Sequence, residues 1–325
     1  MLYRAWRISL YRLTLSPLTL NARRIALDGL LLIDKPAGLT SHDVVSRVRR
    51  AAKTRKVGHT GTLDPDATGL LPITIGACTK LAQYLILDRK TYVFELLLGS
   101  ATDTDDSSGQ VIATESAEHV TEEAFNKALE AFDGQIMQRP PRFSAIRVNG
   151  KRAYELARAG VEFELPQRPV QIERLEVLEL SLPTAKLEMR CGSGTYVRSL
   201  VRDIGEALDT RAHTTMIRRT SVGNFTLEES VTLEELLDES RAWTSKLLTP
   251  AQMMRSLRCY SASDADSEAL RYGKRIVVEL DDVVQEQMIS VVDTSGALIA
   301  VTEVEALGEA SQVQLRPKRV LSAIQ

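Results

Sequence analysis

The chain has 325 residues, of which 44% are hydrophobic and 26% charged, and its formal net charge is −2. This length predicts one large domain or two unequal ones, and the composition is that of a globular protein with its own core. A net charge so near zero argues against a general nucleic-acid binder, and no run of about 18 apolar residues could span a membrane. The cysteines Cys78, Cys191 and Cys259 fit neither a disulfide framework nor a zinc site, so we expect a reducing, cytoplasmic setting.

The first 27 residues form a basic segment with five arginines and no acidic residue. Organellar transit peptides have this kind of composition. A dispensable basic arm, or an upstream start codon, also explains it, and we favour that interpretation. We therefore expect residues 1–28 to be an N-terminal extension that the first domain does not need.

The first predicted elements are a strand and a helix. Residues 29–38, GLLLIDKPAG, predict a short apolar strand that ends in a turn. Thr40 then begins a helix, because Thr40-Ser-His-Asp43 matches a capping box. The inward face of this helix is formed by Val44, Val45 and Val48.

The middle of the chain alternates strands, turns and helices. Residues 91–98 predict a strand and 102–109 a turn, and 121–133 predict a helix that Gly134 ends. Prolines and glycines interrupt the basic segment 136–160, which is therefore predicted to be irregular. The remaining candidates are strands over 170–181 and 185–191, a helix over 197–208 and an acidic helix near 232–239.

From about residue 252 the pattern changes to short strands separated by turns. The candidate strands are 275–280, 288–293, 297–304 and 313–317. This spacing predicts a small all-β module, and it places a domain boundary at about residue 250.

Charged residues are unevenly distributed along the chain. Residues 47–56 and 139–158 are basic blocks, whereas acidic residues concentrate at 103–106 and 228–239. Separated basic blocks on a nearly neutral protein predict one cationic face for a polyanion. Solvated helix faces explain the same blocks, and composition alone does not decide between these two interpretations.

Several phosphate and metal motifs are missing from the sequence. The glycine-rich segment 58–72, GHTGTLDPDATGLLP, lacks the lysine of a P-loop and does not match the dinucleotide fingerprint. The acidic segment 103–109 has its glycine one position too late for an EF-hand loop, which favours a capped turn. The four histidines have no ligand spacing. We therefore predict no metal and no cofactor.

One carboxylate, Asp64, remains in this stiff glycine-rich segment. Pro65 favours an extended conformation at Asp64, and Gly58, Gly61 and Gly69 permit strained turns or close backbone approach. A carboxylate is ionised at neutral pH and can act as a nucleophile without an activating base. A turn residue before proline is the alternative, and the loop alone favours that structural role.

Six segments in order resemble the TruB family, the tRNA pseudouridine-55 synthases. They are GLLLIDKPAGLTSHDVV (29–45), RKVGHTGTLDPDATGLLPITIGACTKLAQYL (55–85), KTYVFELLLGSATDTDDSSG (90–109), PRFSAIRVNGKRAYELARAG (141–160), CGSGTYVRSLVRDIGEAL (191–208) and MIRRTSVGNFT (216–226). The resemblance runs from about residue 29 to 250. It implies isomerisation of one uridine in the T-loop of tRNA, with no cofactor or metal.

The resemblance also implies a fold and a domain organisation. A catalytic domain with a mixed, largely antiparallel sheet and flanking helices is expected over 29–250, in an α+β arrangement. Within it, residues 136–160 match an insertion that clamps the T-arm. Residues 251–325 lie where the family carries a PUA-like RNA-binding domain, and a structural β appendage is the alternative for that module.

Site residues follow from the matched motifs. Asp64 lies at the place of the nucleophile, and Arg198 at that of an arginine paired with it. Tyr92 matches the tyrosine that stacks on uracil, and Tyr196 lines the pocket. His59 matches a residue that contacts the RNA where the base leaves its stack. Ile217 matches an apolar pocket residue that is usually leucine, whereas Lys35 and Pro36 are interpreted as structural.

A stand-alone enzyme is the expected form: a monomer that binds the T-arm of tRNA with no obligatory protein partner and no membrane. Two rivals remain. One is a guide-RNA-dependent relative of the archaeal and eukaryotic type, against which the insertion and the compact C-terminal module argue. The other is a tRNA-binding folding chaperone, against which the intact GTLDP and GTYVR motifs argue as a sole role.

Overall fold

The computed structural model describes residues 27–86, 89–307 and 311–321. Two sheets organise this part of the chain. The part before residue 250 contains the strands β1 Gly29–Lys35, β2 Val57–His59, β3 Thr68–Ile75, β4 Lys90–Leu98, β5 Ser100–Thr102, β6 Val111–Thr114, β7 Gly134–Gln138, β8 Arg147–Val148, β9 Lys151–Arg152, β10 Arg168–Ser181, β11 Thr184–Cys191, β12 Ala212–Val222 and β13 Phe225–Thr226. The part after it contains β14 Arg258–Ser261, β15 Ile276–Glu279, β16 Met288–Val292, β17 Leu298–Leu307 and β18 Gln312–Val320.

Helices connect and cover these strands. They are α1 Ser41–Ala52, α2 Ala82–Ile86, α3 Glu122–Leu129, α4 Ala153–Arg158, α5 Val197–Ala207, α6 Leu233–Leu237, α7 Pro250–Met253 and α8 Asp264–Arg271. None of the helices in the described part of the chain is long and apolar enough to cross a membrane.

The first strand and helix form as their local signals predict. Thr40 caps α1 by accepting a hydrogen bond from the Asp43 amide, and the Asp43 carboxylate accepts one from the Thr40 amide in return. Val44, Val45 and Val48 are buried, so the valine face of α1 is the core face.

The larger sheet is mixed and largely antiparallel, which confirms the expected fold class. Its strand order is β1-β3-β12-β4-β11-β10-β7, with β2 paired to β3 and β13 to β12. Among the described strands of this sheet, β12 and β3 are the one parallel pair of neighbours. The late strand β12 therefore lies between β3 and β4, which are far earlier in the chain, and it joins the two halves of the sheet.

Both faces of this sheet are used for packing. On one face, Phe94 and Leu96 of β4 pack with buried side chains of α1, α3 and α5, including Val44, Phe125 and Leu200. On the other face, Leu30 and Leu32 of β1 pack with Leu70, Met253, Met254, Leu298, Val301 and Leu321. The second cluster contains residues of both sheets, so the C-terminal module and the larger sheet share a hydrophobic core.

The C-terminal module is a five-stranded sheet in the order β14-β16-β17-β18-β15, which contains the four predicted strands and a fifth, β14, that was not predicted. One prediction needs correction, because the module also contains the helix α8, capped by Ser263. Arg255 attaches the start of the module to the larger sheet. It pairs with Glu229, donates to the carbonyl of Asn224 and lies 4.2 Å from the ring centre of Phe225.

The segment 136–160 is more regular than predicted. Its first residues complete β7, the short hairpin β8–β9 follows, and α4 completes it. Asn149 and Gly150 form the hairpin turn with φ values of 50° and 84°. Asn-Gly favours this left-handed turn, so the glycine that suggested irregular structure instead closes a hairpin.

Candidate active site

Asp64 lies on the loop between β2 and β3, which we call the aspartate loop, residues 60–67. The segment after β1 holds this loop from one side. Lys35 is fully buried, and its Nζ donates to the carbonyls of Pro36 at 2.9 Å, Leu39 at 2.7 Å and Pro65 at 2.8 Å. Ser41 Oγ accepts a hydrogen bond from the Leu63 amide at 2.9 Å and lies 3.1 Å from the Leu63 carbonyl. The residues on both sides of Asp64 are thus fixed, and Lys35 has the structural place expected for it.

Burial also changes the proton affinity of Lys35. Desolvation lowers its pKa to about 8, although the nearby carboxylates of Asp66 and Asp64 favour the charged form. The three carbonyl acceptors match the three N–H donors of a protonated amine.

Arg219 holds the aspartate loop from the opposite side. Its side chain is buried, with 1% exposure, and projects from β12. Its guanidinium donates to the carbonyls of Leu70 at 2.7 Å, Gly61 at 3.1 Å and Thr62 at 3.4 Å. The loop is therefore clamped between a buried lysine and a buried arginine.

Asp64 and Arg198 form an ion pair. Arg198 Nη2 lies 2.9 Å from Asp64 Oδ2, and the arginine side chain is 4% exposed whereas the aspartate side chain is 40% exposed. The guanidinium comes from the first turn of α5, immediately after the N-cap residue Tyr196 and Val197. A buried cation thus supports a carboxylate that is open to an approaching molecule.

The Arg198 guanidinium is shared among several acceptors. Nη1 lies 3.3 Å from Asp106 Oδ2 and 2.7 Å from the Thr104 carbonyl, and Nη2 also donates to the Phe143 carbonyl at 3.0 Å. Asp106 and Thr104 belong to the predicted acidic turn, 102–109. This turn therefore supports the arginine that contacts Asp64.

The same turn binds a second arginine of α5. Arg202 Nη1 lies 3.1 Å from Asp105 Oδ2, and its Nη2 donates to the carbonyl of Arg139 at 2.8 Å. Burial raises the pKa of Asp105, which Arg202 opposes. Two acidic residues of the turn are thus ion-paired with α5. Within the described ranges, no group of three or more His, Cys, Asp or Glu could hold a metal ion.

The environment raises the pKa of Asp64 above its ordinary value. Desolvation is the main cause, and the negative charge of Asp106 adds to it. Arg198, by its charge and a hydrogen bond, and Lys35, by its charge, act in the opposite direction. The two cations therefore favour the ionised carboxylate that a nucleophile needs.

Tyr92 lies on β4 directly opposite Arg219 of β12. Its side chain is 9% exposed, and burial raises the pKa of its hydroxyl, while the charge of Arg219 and a hydrogen bond from it lower that pKa. Ile217 lies opposite Phe94, two residues before Arg219, and packs half-buried against the larger core. Tyr92 is therefore part of the Arg219 contact network, whereas Ile217 lies at the edge of the core.

Tyr196 precedes Arg198 and is pinned through its backbone. The Gln138 side chain accepts from the Tyr196 amide at 2.9 Å and donates to the Tyr196 carbonyl at 3.1 Å. The Arg168 guanidinium lies 5.3 Å from the centre of the tyrosine ring. The ring itself is half-buried, so part of its surface remains available.

His59 lies at the end of β2, just before the aspartate loop. Its ring meets that of His42 edge to face, with 6.4 Å between the ring centres. Desolvation lowers the pKa of His59, and the charges of His42 and Arg219 act in the same direction. His59 is therefore neutral near pH 7 and half-buried beside the loop.

Two residues of this network were not among the predicted site residues. Asp106 was assigned only to a turn, and Arg219 was not singled out, although both lie in segments that carried the family resemblance. Arg219 follows Arg218 in a strand, where successive side chains point to opposite faces. The two arginines must therefore lie on opposite faces of the sheet and have different surroundings, which is a signal the sequence contains.

This arrangement favours nucleophilic chemistry by a carboxylate. Asp64 is accessible, two cations support its charge, Tyr92 lies opposite Arg219, and Tyr196 lies two residues before Arg198. An ionised aspartate needs no partner base, and Arg198 and Lys35 favour that form of Asp64 against desolvation.

Comparisons with known proteins agree on one family. The profile described as "TruB family pseudouridylate synthase (N terminal domain)" matches residues 49–197. The profile described as "tRNA pseudouridylate synthase B C-terminal domain" matches residues 198–263.

Two relatives called tRNA pseudouridine synthase B show high identity. The protein of Arthrobacter sp. (strain FB24) is 44% identical over 257 residues, which covers 77% of this chain and 82% of the relative. That of Mycobacterium bovis (strain BCG / Pasteur 1173P2) is 41% identical over 294 residues, covering 89% of this chain and 96% of the relative.

A solved structure shares the fold. It is described as "Structure of H/ACA RNP bound to a substrate RNA containing 2'-deoxyuridine". The TM-score is 0.73 at 23% identity, and the match covers 93% of this chain and 87% of the other. At this identity the likeness concerns the fold alone.

Proposed function

Because the chain belongs to the TruB family of pseudouridylate synthases, we propose that it isomerises uridine 55 in the T-loop of tRNA, with Asp64 as the nucleophile. Family membership supports a tRNA pseudouridine synthase, that is, an isomerase. The T-loop position, base flipping and the role of Asp64 are our proposals for this chain. The observation that carries the role of Asp64 is its ion pair, as an accessible carboxylate, with the buried Arg198.

The proposed reaction exchanges one bond for another within the same nucleotide. The bond between ribose C1′ and uracil N1 breaks, and a bond between C1′ and uracil C5 forms. The proton of C5 leaves, and N1 gains one, so no atom or electron is supplied from outside. Asp64 acts as the nucleophile toward the flipped uridine, and Arg198 keeps its carboxylate ionised while RNA excludes water.

The uridine must leave its stack to reach Asp64, at a cost of about a few kcal/mol. Stacking on an aromatic ring returns on the order of 1–3 kcal/mol per base. We assign this contact to Tyr92, with Tyr196 lining the pocket and Ile217 as an apolar neighbour. His59 is assigned to the point where the base leaves the RNA.

Phosphate contacts are assigned to the two basic blocks. In 47–56, Arg49, Arg50, Lys53, Arg55 and Lys56 are exposed, as are Arg139, Arg142, Arg147, Lys151 and Arg158 in 139–158. Such contacts position an RNA without reading its bases. We propose that residues 136–160 clamp the T-arm, that the module after residue 250 adds RNA contacts, and that the protein acts as a monomer without a protein partner.

The decisive experiment uses an unmodified tRNA transcript and the purified chain with no other RNA or protein. Pseudouridine is mapped by chemical adduct formation and primer extension. We expect one adduct stop, in the T-loop, and none with Asp64→Asn, which should still bind tRNA. A T-loop without a stop would contradict the proposal, and near wild-type turnover by Asp64→Asn would contradict the role of Asp64.

The same assay separates the two rivals. A guide-dependent enzyme would be inactive without a guide RNA, and a pure chaperone would leave no pseudouridine although it binds tRNA. The insertion at 136–160 and the identity of 41–44% to relatives called tRNA pseudouridine synthase B support the stand-alone enzyme.

A further inference from the structure

Among the residues that the structure describes, no carboxylate pairs with the buried cation Arg219. Its side chain is 1% exposed, and none of the ion pairs in the described part of the chain includes it. A buried unpaired charge costs several kcal/mol, so such a residue persists only where other contacts compensate. Hydrogen bonds to backbone carbonyls compensate for the buried charge of Arg219.

Two of these carbonyls, those of Gly61 and Thr62, belong to the aspartate loop. Gly61 and Thr62 lie three and two residues before Asp64, and Arg219 holds both, while its Nε donates to Leu70 on β3. One planar guanidinium therefore fixes the loop against the strand that follows it. A lysine in this place could not hold the same fork of acceptors.

The position of β12 explains why one side chain reaches both parts of the site. β12 lies between β3, which follows the aspartate loop, and β4, which carries Tyr92. Arg219 is paired with Gly69 on one side and with Tyr92 on the other. Besides holding the loop carbonyls, Arg219 carries a charge that lowers the pKa of the Tyr92 hydroxyl, against the larger effect of burial.

Gly69 makes room for this arrangement. A Cβ on Gly69 would lie 2.2 Å from the Arg219 carbonyl oxygen, whereas one on Gly61 would meet Arg219 Nη1 at 3.6 Å, which is an ordinary contact distance. Gly69 also has a φ of +101°, which favours glycine. The close approach that the glycine-rich segment predicts is thus an approach to Arg219.

We propose that Arg219 is a positioning residue for the isomerisation, which sets the distance between the Asp64 carboxylate and the Tyr92 ring by holding both supporting elements. This inference rests on the proposed function, because it concerns the geometry of that reaction. Arg219 acts through the Gly61 and Thr62 carbonyls and through the strand pairing that places it opposite Tyr92.

The test compares Arg219→Lys with a control on the same strand, Arg218→Lys. Arg218 faces the other side of the sheet, is 38% exposed and pairs with Asp34 at 2.7 Å. Single-turnover kinetics on a tRNA transcript give a rate constant and an amplitude, and a filter assay gives the Kd for tRNA. A displacement of about 1 Å in a catalytic group can cost on the order of 100-fold in rate.

For Arg219→Lys we expect a rate constant lower by on the order of 100-fold, with the amplitude and the Kd close to wild type. Arg218→Lys should keep all three. A merely structural role would instead lower the amplitude, because fewer molecules are folded, and leave the rate constant of the folded fraction unchanged. That result would overturn the proposal.

Circular dichroism and a melting curve accompany each variant. If Arg219→Lys is unfolded, Arg219→Gln is measured in the same way, because it keeps two N–H donors without the charge. Unfolding of both variants at 25 °C would also overturn the proposal, since Arg219 would then serve the fold. If the wild-type chain forms no pseudouridine, the proposed function itself is contradicted. The measurement on the wild type shows this independently of the variants.

Discussion

The Asp64 carboxylate and the Arg198 guanidinium approach to 2.9 Å, but Asp64 is only one of several acceptors that this guanidinium contacts. Asp106 and the carbonyls of Thr104 and Phe143 bind the rest. Because Phe143 belongs to the segment proposed to clamp the T-arm, one arginine links the clamp, the acidic turn and Asp64. The charge state of Asp64 therefore depends on two neighbours of opposite sign.

Arg198→Met should raise the pH at which activity falls on the acid side. The charge of Arg198 and a hydrogen bond from it lower the pKa of Asp64, so their loss leaves desolvation to raise that pKa further. The reaction needs the ionised carboxylate, and its acid limb follows this pKa. The measurement is a pH profile of the single-turnover rate. An unchanged limb with weaker tRNA binding would identify Arg198 as a phosphate contact.

Asp106→Asn should move the same limb in the opposite direction. The charge of Asp106 raises the pKa of Asp64, and asparagine removes that charge with little change in shape. The acid limb should therefore shift to lower pH, while the maximum rate falls if Arg198 loses its orientation. An upward shift in this variant would contradict the assigned electrostatics.

Asp64→Asn should melt at a higher temperature than the wild type at pH 7. The folded-state pKa of Asp64 lies above its ordinary 3.8, so the folded chain binds this proton more tightly than the unfolded chain. The ionised carboxylate therefore lowers stability above the folded-state pKa, and this effect disappears as the pH falls toward 3.8. Thermal melts from pH 4 to 8 measure the difference, which should shrink toward the acid end. A less stable Asp64→Asn at pH 7 would show that the ion pair with Arg198 outweighs desolvation.

Gly69→Ala should destabilise the fold more than a glycine substitution that meets no neighbour. Its Cβ would lie 2.2 Å from the Arg219 carbonyl, in addition to the strain of a φ of +101°. Gly134→Ala is the matched control, because φ there is +83° and nothing lies within 4 Å. The control should lose about 1–2 kcal/mol for the left-handed backbone alone, and Gly69→Ala clearly more. Urea unfolding measures both, and equal losses would contradict the close contact.

A chain that ends at residue 251 should aggregate, so its tRNA affinity would not measure the contribution of the C-terminal module alone. It lacks Met253, Met254, Leu298, Val301 and Leu321, which cover Leu30 and Leu32 of β1. Exposed apolar surface of this kind promotes association. Size-exclusion chromatography should show large species, and a stable monomer with the wild-type melting temperature would refute the shared core.

Local signals predicted β1 and α1 well because the apolar run and the capping box act within a few residues. The strand β3 was not predicted from its pattern: TGLLPITI is apolar without alternation and contains Pro72. β12 was missed because its two irregularities, at 214–216 and 219–221, disturb the period of two. Both strands are fixed by neighbours that are distant in the chain.

For the candidate site, too, the sequence indicated individual residues but not the contacts between residues that are distant in the chain. The resemblance named Asp64, Tyr92, Tyr196, Arg198, His59 and Ile217, and the structure places Asp64 against Arg198 and Tyr92 against Arg219. No local pattern reveals that Asp106 and Asp64 share one guanidinium, because they are joined only through α5. The functional roles of these residues stay predictions until the variants are measured.

The position of β12 has a consequence for protein synthesis. β3 and β4 have left the ribosome long before residues 212–222 are made, and they cannot occupy their final places until β12 enters between them. At about 5–20 residues per second, the wait from β3 to β12 is on the order of 10 seconds. Until β12 is made, Asp64 and Tyr92 lack the strand that lies between their elements, and Arg219 is synthesised after both of them.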